Sequence, residues 1–226
     1  MLIIGIDDSG RGPVMGPMVM AGCLLDAKTE KEFKEIGIRD SKTLSPRKRE
    51  KFALIIKEKA LDYEIVVIHP NEIDARNGAG LNLNNIEAIK SAEIINKLNK
   101  GKDKIKVIID CPSNNIKKWA DYLKNYVSNK ENLEIIAEHK ADVNHVSVSA
   151  ASVLAKTTRD AEIEKIKKKV GKDFGSGYPN DPLTIKFLEK YGKKHRKDGI
   201  LRETWGTWKN LQNKKSQKNL EDFKNP

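Results

Sequence analysis

Four aspartates, each at or shortly after the end of an apolar run, are the residues of this chain best suited to chemistry. Leu2 to Ser9 reads Leu-Ile-Ile-Gly-Ile-Asp-Asp-Ser, a β-branched run that stops at Asp7 and Asp8. The run Ile105 to Ile109 stops at Asp110, and Ile135 and Ile136 lie a few residues ahead of Asp142. Adjacent carboxylates repel one another, and against an apolar core they also lose water, so each raises the pKa of the others. Such a cluster does nothing for stability. It does suit two hard divalent cations, held by oxygen ligands about 4 Å apart for phosphodiester cleavage. One ion would activate a water and the other would stabilise the leaving oxygen. Asp7, Asp8, Asp110 and Asp142 are therefore the expected catalytic and metal-binding set.

Immediately after the first acids stand Gly10, Arg11 and Gly12. Two glycines flanking an arginine let the backbone come close to something bulky and anionic. The spacing Gly10-x-Gly12-x-x-x-Gly16 is wrong for a dinucleotide fold, because two acids separate it from the strand. The residues after it are proline-interrupted and strand-like. No Walker lysine motif exists, and His69, His139, His145 and His195 show no ligand spacing on a helix.

Elements must bring these distant acids together. Val19 to Leu25 reads as a second strand, entered through a tight turn carrying Pro13 and Pro17. Thr29 to Ile36 suits a short helix, and Ser45 before Pro46 caps a helix running to about Ala60. Tyr63 to Ile68 is a third strand, Pro70 to Arg76 a helical turn, and Leu81 to Asn99 a helix of near-regular period. Ile105 to Ile109 and Leu133 to Ala137 supply the fourth and fifth strands, with an amphipathic helix over Ile116 to Val127 between them. A long helix fills Val146 to Val170 and stops at Gly171. Its first half is rich in small residues, which let a helix axis approach a sheet closely. Asp181-Pro182 opens another helix to about Tyr191, and a last one spans roughly Leu201 to Gln212. Strands first joined by a turn and then alternating with helices predict an α/β fold, a mixed five-stranded sheet with helices on both faces. Functional groups then gather beyond the carboxyl ends of the parallel strands.

The chain has 226 residues, 38% hydrophobic and 33% charged, enough for one full core with a small appended subdomain. No apolar run reaches the ~20 residues needed to cross a bilayer, and Asp7, Asp8 and Arg11 interrupt any signal-peptide pattern. Cys23 and Cys111 lie far apart without CxxC spacing, which predicts buried thiols in a reducing compartment and a cytoplasmic protein. The formal net charge is +11, a balance that points to a polyanionic partner such as nucleic acid.

Gly5-Ile6-Asp7-Asp8-Ser9-Gly10-Arg11-Gly12-Pro13-Val14 resembles the opening signature of ribonuclease HII, the type 2 ribonuclease H family, and most of all its archaeal members. Asp40-Ser41-Lys42, Ile108-Ile109-Asp110, Glu138 to Asp142, Ser149-Ala150-Ala151-Ser152, Ala155-Lys156 with Arg159-Asp160, and Gly175 to Pro179 match in order. The resemblance extends to about Trp208. It implies a ribonuclease H-like fold with a catalytic domain over residues 1–175, a C-terminal helical subdomain over 176–213 and a polar tail over 214–226. It implies an endonuclease that hydrolyses the RNA strand of RNA/DNA hybrids and cuts 5′ of ribonucleotides embedded in duplex DNA, leaving 5′-phosphate and 3′-hydroxyl ends. By that likeness the four aspartates hold Mg²⁺ or Mn²⁺. Gly10, Arg11 and Gly12 read the ribose 2′-hydroxyl, the group that distinguishes RNA from DNA, and Tyr178 packs on the neighbouring sugar. The family normally has Glu where this chain has Asp8, and Ala where it has Ser9. Asp is one methylene shorter, which predicts retained activity with an altered metal preference towards Mn²⁺.

Lys186, Lys190, Lys193 and Lys197 fall at i, i+4, i+7 and i+11, with Lys194, Arg196 and Arg202 nearby, a face suited to neutralising phosphates. Lys42, Lys140, Ser149 and Lys156 lie in family-like motifs and are expected at the scissile region. Gln217, Leu220 and Phe223 resemble a sliding-clamp-binding motif whose second aromatic is replaced by Lys224. The chain is expected to act as a monomer. Two rival readings stay open: a nuclease of the same broad fold acting on DNA, and a basic nucleic-acid-binding protein whose acids are structural.

Overall fold

The computed structural model describes residues 1–38 and 44–213. Lys42 and the tail residues Gln217, Leu220 and Phe223 lie outside them. Among the described residues five strands form one sheet: β1 (Leu2–Ser9), β2 (Met18–Leu25), β3 (Asp62–Ile68), β4 (Ile105–Asp110) and β5 (Leu133–Glu138). Their order is β3-β2-β1-β4-β5. β1 pairs antiparallel with β2 and parallel with β4, and β4 pairs parallel with β5. The expected mixed sheet is thus observed.

Helix starts follow local chemistry. α1 (Ala27–Glu35) is capped by Asp26, whose carboxylate accepts from Thr29 N at 2.7 Å. α2 (Pro46–Lys59) begins at Pro46 behind Ser45, a proline in the first turn where no N–H is missed. α3 (Pro70–Gly78) is a full helix where the sequence suggests only a turn. α4 (Leu83–Leu98) carries a reciprocal capping box between Asn82 and Asn85. α5 (Ile116–Lys124), α6 (Ala141–Asn144), α7 (Val146–Val170) and α8 (Pro182–Tyr191) complete the named helices.

The described residues form two compact units. One comprises Met1–Ser9, Met18–Val67 and Leu81–Asp160; the other Gly10–Pro17, Ile68–Gly80 and the described residues from Ala161 onward. In the first, Val19, Ala21, Cys23 and Leu25 pack with Ala150, Ala151 and Leu154 of α7, while Ile6 and Gly22 face Ile94 and Leu98 of α4. Each valine, leucine or isoleucine buried this fully contributes about 1.5–3 kcal/mol. Gly5 marks the tightest point: a Cβ there would stand 2.1 Å from the Ser147 carbonyl carbon, so only glycine lets β1 meet α7. In the second unit Val14, Met15, Phe174, Phe187, Leu201 and Trp208 make a separate core. Both thiols are buried and free, and burial pushes the Cys23 thiol well up. Among the described residues no helix is long and apolar enough to cross a membrane.

Candidate active site

Parallel pairing places the ends of β1, β4 and β5 side by side. Ile6 pairs with Ile109, and Asp110 pairs with Glu138, so Asp7 and Asp110 stand side by side where the pairing of β1 with β4 ends. Residues paired across a sheet share a face, and Asp7 shares the face of Gly5, towards α7. There it is 6% exposed and hydrogen-bonded to Ser152. Burial pushes its carboxyl well above the usual carboxylate range; Asp8 and then Asp110 push it further, against the pull of Ser152.

Asp110 accepts a hydrogen bond from Ala141 N through Oδ1 at 3.0 Å. That bond fixes the start of α6, the four-residue helix that carries Asp142. Lys140 enters α6 at φ 59°, the left-handed region, making the sharp turn from β5. Asp142 is buried, and the Ser149 hydroxyl donates to its carbonyl at 2.5 Å. Ser149, expected at a substrate phosphate, is itself 1% exposed, and its hydroxyl is engaged by the Asp142 turn. α6 is absent from the sequence pattern, because four residues carry no periodic signal.

Strand alternation turns Asp8 to the face opposite Asp7. At the strand ends it nevertheless lines one cavity with Asp7, Asp110, Glu87, Ser91 and Trp119, about 10 Å³ in volume, room for one water at most. Glu87, 1% exposed on α4, is a further carboxylate beside this edge that the motifs do not single out. A lone acid in an amphipathic stretch gives no signal. Its burial does.

The acids offer only hard oxygen donors, and the upward push on Asp7 from Asp8 and Asp110 is the kind that a cation between them relieves. No three His, Cys, Asp or Glu among the described residues are grouped to hold one ion by themselves. Mg²⁺ does not require that, since it is bound through one or two carboxylates with water and phosphate oxygens completing its shell. The residues therefore fit divalent ions shared with a phosphate rather than a closed protein cage.

Of the lysines expected here, Lys156 pairs with Asp160 at 2.7 Å, and Asp160 also meets Arg49 at 3.5 Å. Lys140 is exposed.

In the second unit, Gly10 adopts φ 84°, open to glycine at no steric cost, and starts the turn through Arg11 and Gly12. Tyr178 lies over that turn: a Cβ on Gly12 would stand 3.5 Å from its Cε1. Val14 N and Met15 N both donate to Gly177 O, at 2.9 and 3.2 Å. The structure thus brings Gly10, Arg11, Gly12 and Tyr178 together.

The basic face changes shape. α8 ends at Tyr191, so Lys186 and Lys190 share one helical face, while Lys193 and Lys197 lie beyond it around a 3₁₀ turn (Arg196–Asp198). All four are exposed. Arg202 is not part of it. It is fully buried, with Nε donating to Gly16 O and its two Nη atoms to Arg11 O and Gly10 O. The last helix spans 206–213, not Leu201 onward, because Leu201 bridges Met15 and the residues after it turn.

The family model described as Ribonuclease HII matches residues 4–208. The Ribonuclease HII of Pyrococcus furiosus is 43% identical over 231 residues, covering 99% of this chain and 98% of the relative. The crystal structure of the ribonuclease H2 from Pyrococcus horikoshii superposes with a TM-score of 0.84 at 39% identity, covering 95% of this chain and 98% of that one. The RNase HII in a PCNA:RNase HII complex from Archaeoglobus fulgidus gives 0.79 at 35% identity, covering 91% and 95%. The fold, the acids at its strand ends and these likenesses agree: the chain belongs to the ribonuclease HII family, metal-dependent endoribonucleases.

Proposed function

We propose that this enzyme hydrolyses the RNA strand of RNA/DNA hybrids and cuts 5′ of single ribonucleotides in duplex DNA, leaving 5′-phosphate and 3′-hydroxyl ends. The observation that carries this reading is the edge shared by Asp7 and Asp110, where burial and the neighbouring carboxylates of Asp8 and Asp110 raise the proton affinity of Asp7. Asp7, Asp8, Asp110 and Asp142 would hold two Mg²⁺ or Mn²⁺ ions. When bound, the ions supply a water of lowered pKa and stabilise charge on the leaving oxygen. The chain's own residues do the rest. Ser152 orients Asp7 through its hydrogen bond, and the Ala141 N–H orients Asp110. Gly10, Arg11 and Gly12 sense the 2′-hydroxyl, with Tyr178 against the adjacent sugar.

Lys186, Lys190, Lys193 and Lys197, with Lys42, Lys140 and Lys156, supply phosphate contacts. As functional regions we assign 1–175 to catalysis, 176–213 to substrate binding and 214–226 to a tail whose Gln217, Leu220 and Phe223 contact a sliding clamp. A relative's complex with PCNA supports that last assignment. The enzyme acts as a monomer in the cytoplasm.

Incubating the protein with a duplex carrying one ribonucleotide, with and without Mg²⁺, tests the reading. Metal-dependent cutting 5′ of the ribonucleotide is expected. Cutting of an all-DNA duplex would favour the DNA nuclease, and binding without cutting the structural-acid reading. Retention of the Phe223→Ala variant on immobilised clamp equal to wild type would remove the tail contact.

A further inference from the structure

Three consecutive carbonyls of the recognition loop are held by one short segment near the other end of the chain. The buried guanidinium of Arg202 donates to Gly10 O at 2.6 Å, Arg11 O at 2.7 Å and Gly16 O at 3.1 Å. It stacks on the Trp205 ring at 4.9 Å, and Trp205 Nε1 donates to Gly12 O at 3.2 Å. The segment is itself anchored. Asp74 on α3 accepts from Glu203 N at 2.6 Å and from both Thr204 N and the Thr204 hydroxyl, at 3.1 and 2.5 Å. Asn77 Nδ2 adds a bond to the Thr204 hydroxyl at 3.1 Å.

We propose that Arg202 and Trp205, locked by Asp74, are positioning residues for ribose recognition: Arg202 turns the carbonyls of Gly10 and Arg11 to one side and so aims the N–H groups of Arg11 and Gly12 to the other. Trp205 pins the end of the loop at the Gly12 carbonyl, whose peptide nitrogen belongs to Pro13 and carries no N–H. The step is geometric. None of the peptide bonds among the described residues is cis, and in a trans peptide unit the N–H points opposite to the C=O. Fixing the carbonyls of Gly10 and Arg11 on Arg202 therefore directs the N–H groups of Arg11 and Gly12 away from it. Tyr178 lies against Gly12 in the same unit. Donors in that orientation suit the oxygen of a sugar hydroxyl, and a planar fork with several fixed donors is what arginine provides and lysine does not. A flexible glycine pair without the clasp would sample many orientations, at an entropic cost to any ligand that selects one.

The proposal rests on the reading of this loop as the 2′-hydroxyl sensor, and the test separates the two. Binding is measured without divalent metal, as Kd for a duplex with one ribonucleotide against the same duplex in DNA only, for wild type, Arg202→Lys and Trp205→Phe. Trp205→Phe keeps an aromatic face and deletes only the donor to Gly12. Expected is a fall of about tenfold in the ribose preference of Arg202→Lys and a smaller fall for Trp205→Phe, with the Kd for all-DNA duplex unchanged within twofold. Should Arg202→Lys not fold, Trp205→Phe decides alone. Wild-type discrimination retained in the folded variants overturns the clasp. A wild type without ribose preference overturns the sensor reading and this proposal with it.

Discussion

Ala141 N–H donates to the Asp110 carboxylate at 3.0 Å, and one residue later the chain places Asp142. One acid thereby anchors the short helix that carries another. The coupling means that the position of Asp142 depends on Asp110 even before any ion binds. Asp110→Asn keeps an oxygen acceptor on an isosteric side chain, whereas Asp110→Ala removes it. Both variants are expected to lose cleavage by about 10³-fold or more on the scale of electrostatic catalysis. Only Asp110→Ala should speed amide exchange at residues 141–144. Equal exchange in the two variants would refute the anchoring role.

Asp7 gives a pH prediction. Its folded-state pKa is raised, so in the window between the ordinary carboxyl range and the raised value the native state holds a proton that the unfolded chain has released. Stability from this group is present at low pH and declines as pH rises through that window. Asp7→Asn removes the buried charge. It should abolish cutting yet raise the melting temperature at neutral pH in chelator, by about 2–4 °C per kcal/mol relieved. The gain should vanish below the ordinary carboxyl pKa. A variant that melts below wild type at neutral pH would contradict the electrostatic account.

Asp8 stands where the family normally carries Glu, on the sheet face opposite Asp7. Asp8→Glu restores the missing methylene and should raise the Mg²⁺ rate relative to the Mn²⁺ rate. Steady-state rates with each ion decide it, and an unchanged ratio rejects the link between side-chain length and metal preference.

Gly5 admits no side chain, since the Ser147 and Val148 backbone would lie 2.1–2.3 Å from a Cβ. Gly5→Ala forces β1 and α7 apart at a cost of about 2–3 kcal/mol. Urea unfolding should show a lower midpoint at constant slope, together with loss of activity, because Asp7 and Ser152 stand on the two elements being separated. A midpoint like wild type would argue against that packing.

Lys186 and Lys190 share one face of α8. Replacing both by Gln should lower the salt dependence of duplex binding by about one unit of slope for each phosphate no longer neutralised. An unaltered slope removes this face from the interface.

Much of this protein is legible in order along the chain. The helix Val146 to Val170 is read from its run of small residues and a stop at Gly171, and Asp7, Asp8 and Asp110 end runs of β-branched residues. Hydrophobic period, caps and turn residues act within a few positions, so sequence by itself determines them. Tertiary structure alone decided the rest. Arg202 has the sequence context of one more surface cation, yet its partner Gly10 lies 192 positions away, and burial against those carbonyls gives it another task. Trp205 and Trp208 mimic helical spacing, but the segment before 206 turns instead, tied to Asp74 and bridged to Met15. Glu87 gives no sign of itself until α4 packs on the sheet. Contacts between residues this far apart depend on which faces the sheet presents, and a linear pattern does not carry that information.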